Sequence, residues 1–84
     1  MPTIDRARTP KQIGDALRAA RRALGLTQSE LASLSGQRQE LISKIESGSE
    51  GTAISAICAL LAALGLEFAV RSRASGAPDI EDIF

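Results

Sequence analysis

From residue 13 to residue 64 the apolar positions of this chain recur at helical spacing, and after residue 65 they alternate. Ile13, Leu17, Ala20 and Leu24 follow one another at steps of four, three and four, the signature of one face of an α-helix. Thr9-Pro10-Lys11-Gln12 gives that helix its start. Thr9 can cap, proline is tolerated at the first helical position, and Gln12 stands where a capping box takes Glu or Gln. Arg18, Arg21 and Arg22 lie off the stripe, and Gly25 supplies the stop. Thr27-Gln28-Ser29-Glu30 is a second capping box, opening a short helix with Leu31, Ala32 and Leu34 expected inward. A third helix is expected over about residues 38–47, ended by Gly48. Thr52 is expected to cap a fourth, which carries Ile54, Ile57, Leu60, Leu61 and Leu64 and ends at Gly65.

The period then changes. Leu66-Glu67-Phe68-Ala69-Val70-Arg71-Ser72-Arg73 alternates large apolar with polar or small residues and reads as a strand. A strand with no second strand in its own chain leaves backbone donors and acceptors unpaired, so a second copy of the chain is the expected partner. Ala74 to Pro78 is linker-like, and residues 79–84 form a short acidic and apolar terminus.

The segment Thr27 to Glu46 carries the most information. Two short helices meet at Gly36, and the second presents a polar Arg38/Gln39 face opposite an apolar Ile42/Ile45 face. A helix packed on one side and polar on the other is suited to the major groove of DNA.

Charge refines this picture. The net charge is zero, but residues 1–73 hold all ten Lys and Arg against seven acids, giving +3, while residues 74–84 hold Asp79, Glu81 and Asp82 without a base, giving −3. A basic body with an acidic tail suits DNA, because local field matters more than the total. Aromatics are 2% of the 84 residues against 44% apolar. The core must therefore be Ala, Leu and Ile, small enough that self-association is expected to support it. The single Cys58 allows no intrachain disulfide and reads as a small apolar residue among Ile57, Ala59, Leu60 and Leu61. No run of about 18 apolar residues exists to span a bilayer, and the first residues do not read as a signal peptide. A cytoplasmic protein, on the nucleoid when bound to DNA, is the expectation. Catalysis has no support: there is no His, no metal-ligand spacing and no phosphate-binding glycine loop, so neither enzyme activity nor cofactor is expected.

Thr-Gln-x-Glu-Leu-Ala, a Gly turn, then Ile-Ser-x-Ile-Glu-x-Gly resemble the Cro/cI (XRE) helix-turn-helix repressors. The Leu-Gly-Leu-Glu-Phe-Ala-Val segment after helix four resembles more narrowly the HipB-type antitoxins, repressors paired with a HipA-type Ser/Thr kinase toxin. The resemblance implies an all-α, lambda-repressor-like bundle of four to five helices with one C-terminal β-strand pairing across a homodimer. Residues 1–8 would be an arm, 9–73 the DNA-binding and dimerisation domain, and 74–84 a flexible tail. It places Gln28 and Ser29 at phosphate and Arg38, Gln39 and Ser43 at base edges. Arg and Gln fit that chemistry, being bidentate partners of guanine and adenine. Lys44, Arg18 and Arg22 suit the DNA backbone. Leu66, Phe68 and Val70 would serve dimerisation. Arg21 and Glu46 match a structural ion pair of the family. Gln37 stands where the family usually has an apolar residue, and Arg38 where a small capping residue is common. The function implied is that of an autoregulating repressor on a palindromic DNA operator, with a HipA-type kinase as further partner. A stand-alone phage-type repressor and a helix-turn-helix protein-interaction module without DNA binding are the alternatives. Ile83 and Phe84 of the acidic tail are expected either to be unstructured or to dock on the toxin.

Overall fold

The computed structural model describes residues 7–70 and 72. Four helices follow in order: α1 over Pro10–Ala23, α2 over Gln28–Ser35, α3 over Gln39–Glu46 and α4 over Ile54–Ala63.

Local chemistry sets most of the helix ends. The Thr9 hydroxyl accepts from the Gln12 amide at 3.1 Å, and the Gln12 side chain accepts from the Arg8 amide at 2.6 Å. At α2 the capping box is complete. Thr27 Oγ1 accepts from the Glu30 amide at 3.0 Å and Glu30 Oε1 from the Thr27 amide at 2.9 Å, satisfying two of the donors a helix start leaves over. Hydrogen bonding from the Thr27 backbone amide, and then from its side chain, holds the Glu30 carboxyl below its ordinary value. Gly36 sits at φ +72° at the end of α2, a left-handed conformation that glycine adopts without steric cost.

The helices enclose Leu17, Leu31, Ile42, Ile45, Leu60 and Leu64, with Ile13, Ala20, Leu26, Leu41, Ile57 and Leu61 packed around them. Helix α1 lies on α3, and α2 touches both α3 and α4. The helix-turn-helix pair is thus held from both sides.

Four helices form among the described residues, within the four to five expected. Several other expectations change. Ala53, not Thr52, is the N-cap of α4, without a side-chain bond; the Thr52 hydroxyl donates instead to the Ser49 carbonyl. Leu34, in the last turn of α2 and beyond the buried Leu31, is exposed rather than inward. Leu24 lies at the end of α1, beyond the core, and is exposed. Cys58 is exposed, since α4 buries Ala56 and Leu60 on its other side. Residues 66–70 form no strand; a single chain offers them no ladder partner. Arg71, Arg73 and the tail from Ala74 lie outside the described residues, as do residues 1–6 of the arm.

One close approach governs the α1–α3 contact. A Cβ at Gly14 would overlap the Ile45 carbonyl oxygen and stand 3.0 Å from that of Glu46. Alanine favours a helix over glycine by about 1 kcal/mol, but here backbone must move to admit it. Gly14→Ala is therefore expected to destabilise the protein by about 1–3 kcal/mol, measured by denaturant unfolding. A gain in stability would show that α1 and α3 are not held at this distance.

Candidate nucleic-acid interface

Helix α3 is positioned from behind by a buried ion pair. Arg21 Nε donates to Glu46 Oε2 at 2.7 Å and Nη2 to Oε1 at 2.9 Å. Their side chains are 9% and 3% exposed. Arg21 Nη1 donates to the Leu26 carbonyl at 2.7 Å, and Gln28 Nε2 to Glu46 Oε1 at 3.2 Å. One network thus joins α1, the turn after it, α2 and the end of α3. Two in-plane bonds between a guanidinium and a carboxylate fix direction as well as distance. Donating to the Glu46 carboxylate stabilises the Arg21 cation and raises its pKa. Burial pushes the Glu46 carboxyl up, but hydrogen bonds from Arg21 and Gln28, with the charges of Arg21 and Arg18, outweigh it and leave the group below its ordinary value.

The outer face of α3 is polar. Gln39, Ser43 and Lys44 are exposed on it, with Ile42 and Ile45 buried behind. Gln28, Gln39, Glu40, Ser43 and Lys44 line one shallow depression between α2 and α3. Arg38 is exposed at the N-cap of α3, where its carbonyl starts the helix and its side chain makes no capping bond. Ser29 is exposed in the first turn of α2, where helix amides lack intrahelical partners and favour anions. Arg18 and Arg22 are exposed on α1. Four of the residues singled out from the sequence, Gln28, Gln39, Ser43 and Lys44, thus meet at one place. Ser29, Arg38, Arg18 and Arg22 stand outside that depression.

Glu40 is the addition. Its signal in the sequence was the step of four to Lys44, which puts both on one side of α3. Gln28 has a second role as well, since its amide already bonds Glu46. No cluster of His, Cys, Asp or Glu that could hold a metal occurs among the described residues, and no helix there is long and apolar enough to cross a membrane.

A second surface is apolar. Leu66 and Phe68 line a groove of about 310 Å³ with Ile13, Ala16, Ile57 and Leu61. Leu66, Phe68 and Val70 are 37%, 50% and 63% exposed, and Ile54 at the start of α4 is 71% exposed.

Residues 17–70 match the helix-turn-helix family. The chain belongs to that family, in its Cro/cI (XRE) branch. HipB in its complex with the O4 20mer is 29% identical, covering 82% of this chain and 97% of its own, with a TM-score of 0.77. The HipA–HipB–O2–O3 complex gives 29% identity, the same coverage and a TM-score of 0.76. The restriction-modification controller protein C.AhdI from Aeromonas hydrophila is 34% identical over 69% of this chain and 88% of its own, with a TM-score of 0.65. No curated protein sequence matches this one. The fold is that of helix-turn-helix DNA-binding regulators, and HipB is among its structural neighbours.

The ion pair makes a testable demand. Removing one partner leaves the other charge buried and unpaired, at a cost of about 3–5 kcal/mol, whereas replacing both with apolar groups costs less. Arg21→Met and Glu46→Leu are each expected to lower the melting temperature more than the double variant does, a coupling read from a double-mutant cycle. Because the folded pKa of Glu46 is depressed, its contribution is present above the ordinary value of 4.5 and is lost as pH falls through the lower folded value. Melting temperature should therefore fall less steeply below pH 4.5 in Glu46→Gln than in the wild type. Additive losses would mean that the pair is not coupled.

Proposed function

We propose that this chain is a sequence-specific transcriptional repressor that binds a palindromic operator as a homodimer and regulates its own operon, as the antitoxin partner of a HipA-type kinase. The observation that carries this reading is the polar face of α3, with Gln39, Ser43 and Lys44 exposed beside Gln28 and an ion pair bracing the helix from behind. A surface built for protein partners would present apolar anchors there. Arg38, Gln39 and Ser43 reach base edges; Gln28, Ser29, Lys44, Arg18 and Arg22 meet the DNA backbone. With its side-chain NH₂ shared with Glu46, Gln28 serves phosphate through its backbone amide at the start of α2.

The homodimer accounts for the apolar surface. Segment 66–73 of one protomer pairs antiparallel with the same segment of the other, supplying the ladder that a single chain lacks. Leu66, Phe68 and Val70, exposed in one chain, then become interior, and two-fold symmetry presents one α3 to each half-site. The toxin partner is supported by the likeness to HipB over 82% of the chain, in a structure that also contains HipA. A second reading is favoured by the 34% identity to the controller protein C.AhdI: a stand-alone regulator without a toxin. A kinase gene beside this one separates the two.

Arg38→Ala and Gln39→Ala are each expected to weaken operator binding by about 1–3 kcal/mol and to relax base preference. Lys44→Ala should weaken all sequences alike and make the salt dependence shallower. Mobility-shift titration with the DNA upstream of the gene measures both. Unchanged affinity in Arg38→Ala and Gln39→Ala would show that another face reads the DNA.

Val70→Pro removes a ladder donor and is expected to shift the dimer toward monomer in sedimentation equilibrium at micromolar concentration. A wild-type protein that is monomeric there would refute the pairing.

A further inference from the structure

We propose that Glu40 reads a cytosine and so fixes a C·G pair at one position of each operator half-site; this rests on the reading of α3 as the groove-facing helix. Glu40 is exposed in the first turn of α3 and lines the depression shared with Gln28, Gln39, Ser43 and Lys44. It is the one acid of that group. An ionised carboxylate only accepts hydrogen bonds, and the phosphates on either side of the groove are anions that repel it. Within the major groove guanine offers two acceptors and thymine an acceptor and a methyl group. Only the amino groups of cytosine and adenine donate there. Beside the adenine amino group stands N7, an acceptor that confronts the second carboxylate oxygen. Beside the cytosine amino group stands a C–H. Cytosine is therefore the base that accommodates Glu40 with its charge intact.

Lys44 does not occupy the carboxylate, since no ion pair within 4.0 Å engages Glu40 among the described residues. An acid in the first turn also favours the positive end of the helix. That effect acts on the fold, and so on all DNA sequences equally. Base reading acts at one position.

The test is selection of duplexes from a randomised pool by the full-length wild type, Glu40→Ala and Glu40→Gln, followed by affinity measurements on the selected sites. The wild type is expected to select cytosine at one position per half-site, with a loss of roughly ten-fold or more when that pair is exchanged. Glu40→Ala should lose the preference at that position and keep the others. Glu40→Gln should move it toward adenine, because the amide supplies the acceptor and donor that match N6 and N7. Unchanged preferences in both variants, or an equal loss at every sequence, would overturn the proposal while leaving α3 as the reading helix. A wild type that selects no sequence at all would overturn the groove-facing reading, and Glu40 with it.

Discussion

The guanidinium of Arg21 is the point at which this small fold is tied together. It reaches Glu46 at the end of α3 through two hydrogen bonds and the Leu26 carbonyl through a third, and Gln28 adds α2 to the same carboxylate. Placing two charges in the interior is costly unless their hydrogen-bonding groups are matched. Among the described residues no buried side-chain nitrogen or oxygen lacks a partner, so that condition is met. The apolar residues around the pair are mostly Leu, Ile and Ala, whose contacts hold helices together without specifying their rotation. The ion pair supplies direction. Gly14 lets the α1 backbone come close enough to the end of α3 for the network to form.

The parts of the fold that depend on neighbours in sequence were legible there. Thr9 and Thr27 cap, and Gly36 ends α2, because these are interactions over three or four residues. What depended on tertiary orientation was less so. Helix α4 reads Ile-Ser-Ala-Ile-Cys-Ala-Leu-Leu-Ala-Ala, apolar or small almost all round, so its periodicity does not say which side faces inward. Cys58 and Ile54 consequently lie outside. Leu34 sits on a helix of eight residues, too short for its apolar positions to define a face unaided. The alternation after Gly65 is a local signal for a strand, but residues 66–70 form none, because a strand also needs a ladder partner.

The same division holds for the polar face. The motif from Thr27 to Glu46 located the depression, since Gln39 and Ser43 are one helical step apart and Lys44 adjoins them. It did not reveal that Gln28 bonds Glu46, which is eighteen residues away in sequence. Glu40 was obscured by its commonplace role as an acid in a first helical turn. Its surroundings, rather than its residue type, make it notable.

Arg38 occupies the N-cap of α3 without capping it, forgoing about 1 kcal/mol of local stabilisation that Ser, Thr or Asp would bring. The helix is held instead by Ile42 and Ile45 in the core and by Glu46 at its far end. The residues that hold α3 in the fold therefore do not include the one at its N-cap. Position 38 is free to vary among side chains of quite different chemistry while the scaffold stands. Under the proposed reading of Arg38 as a base contact, exchanging that residue would change the target with little penalty to the fold.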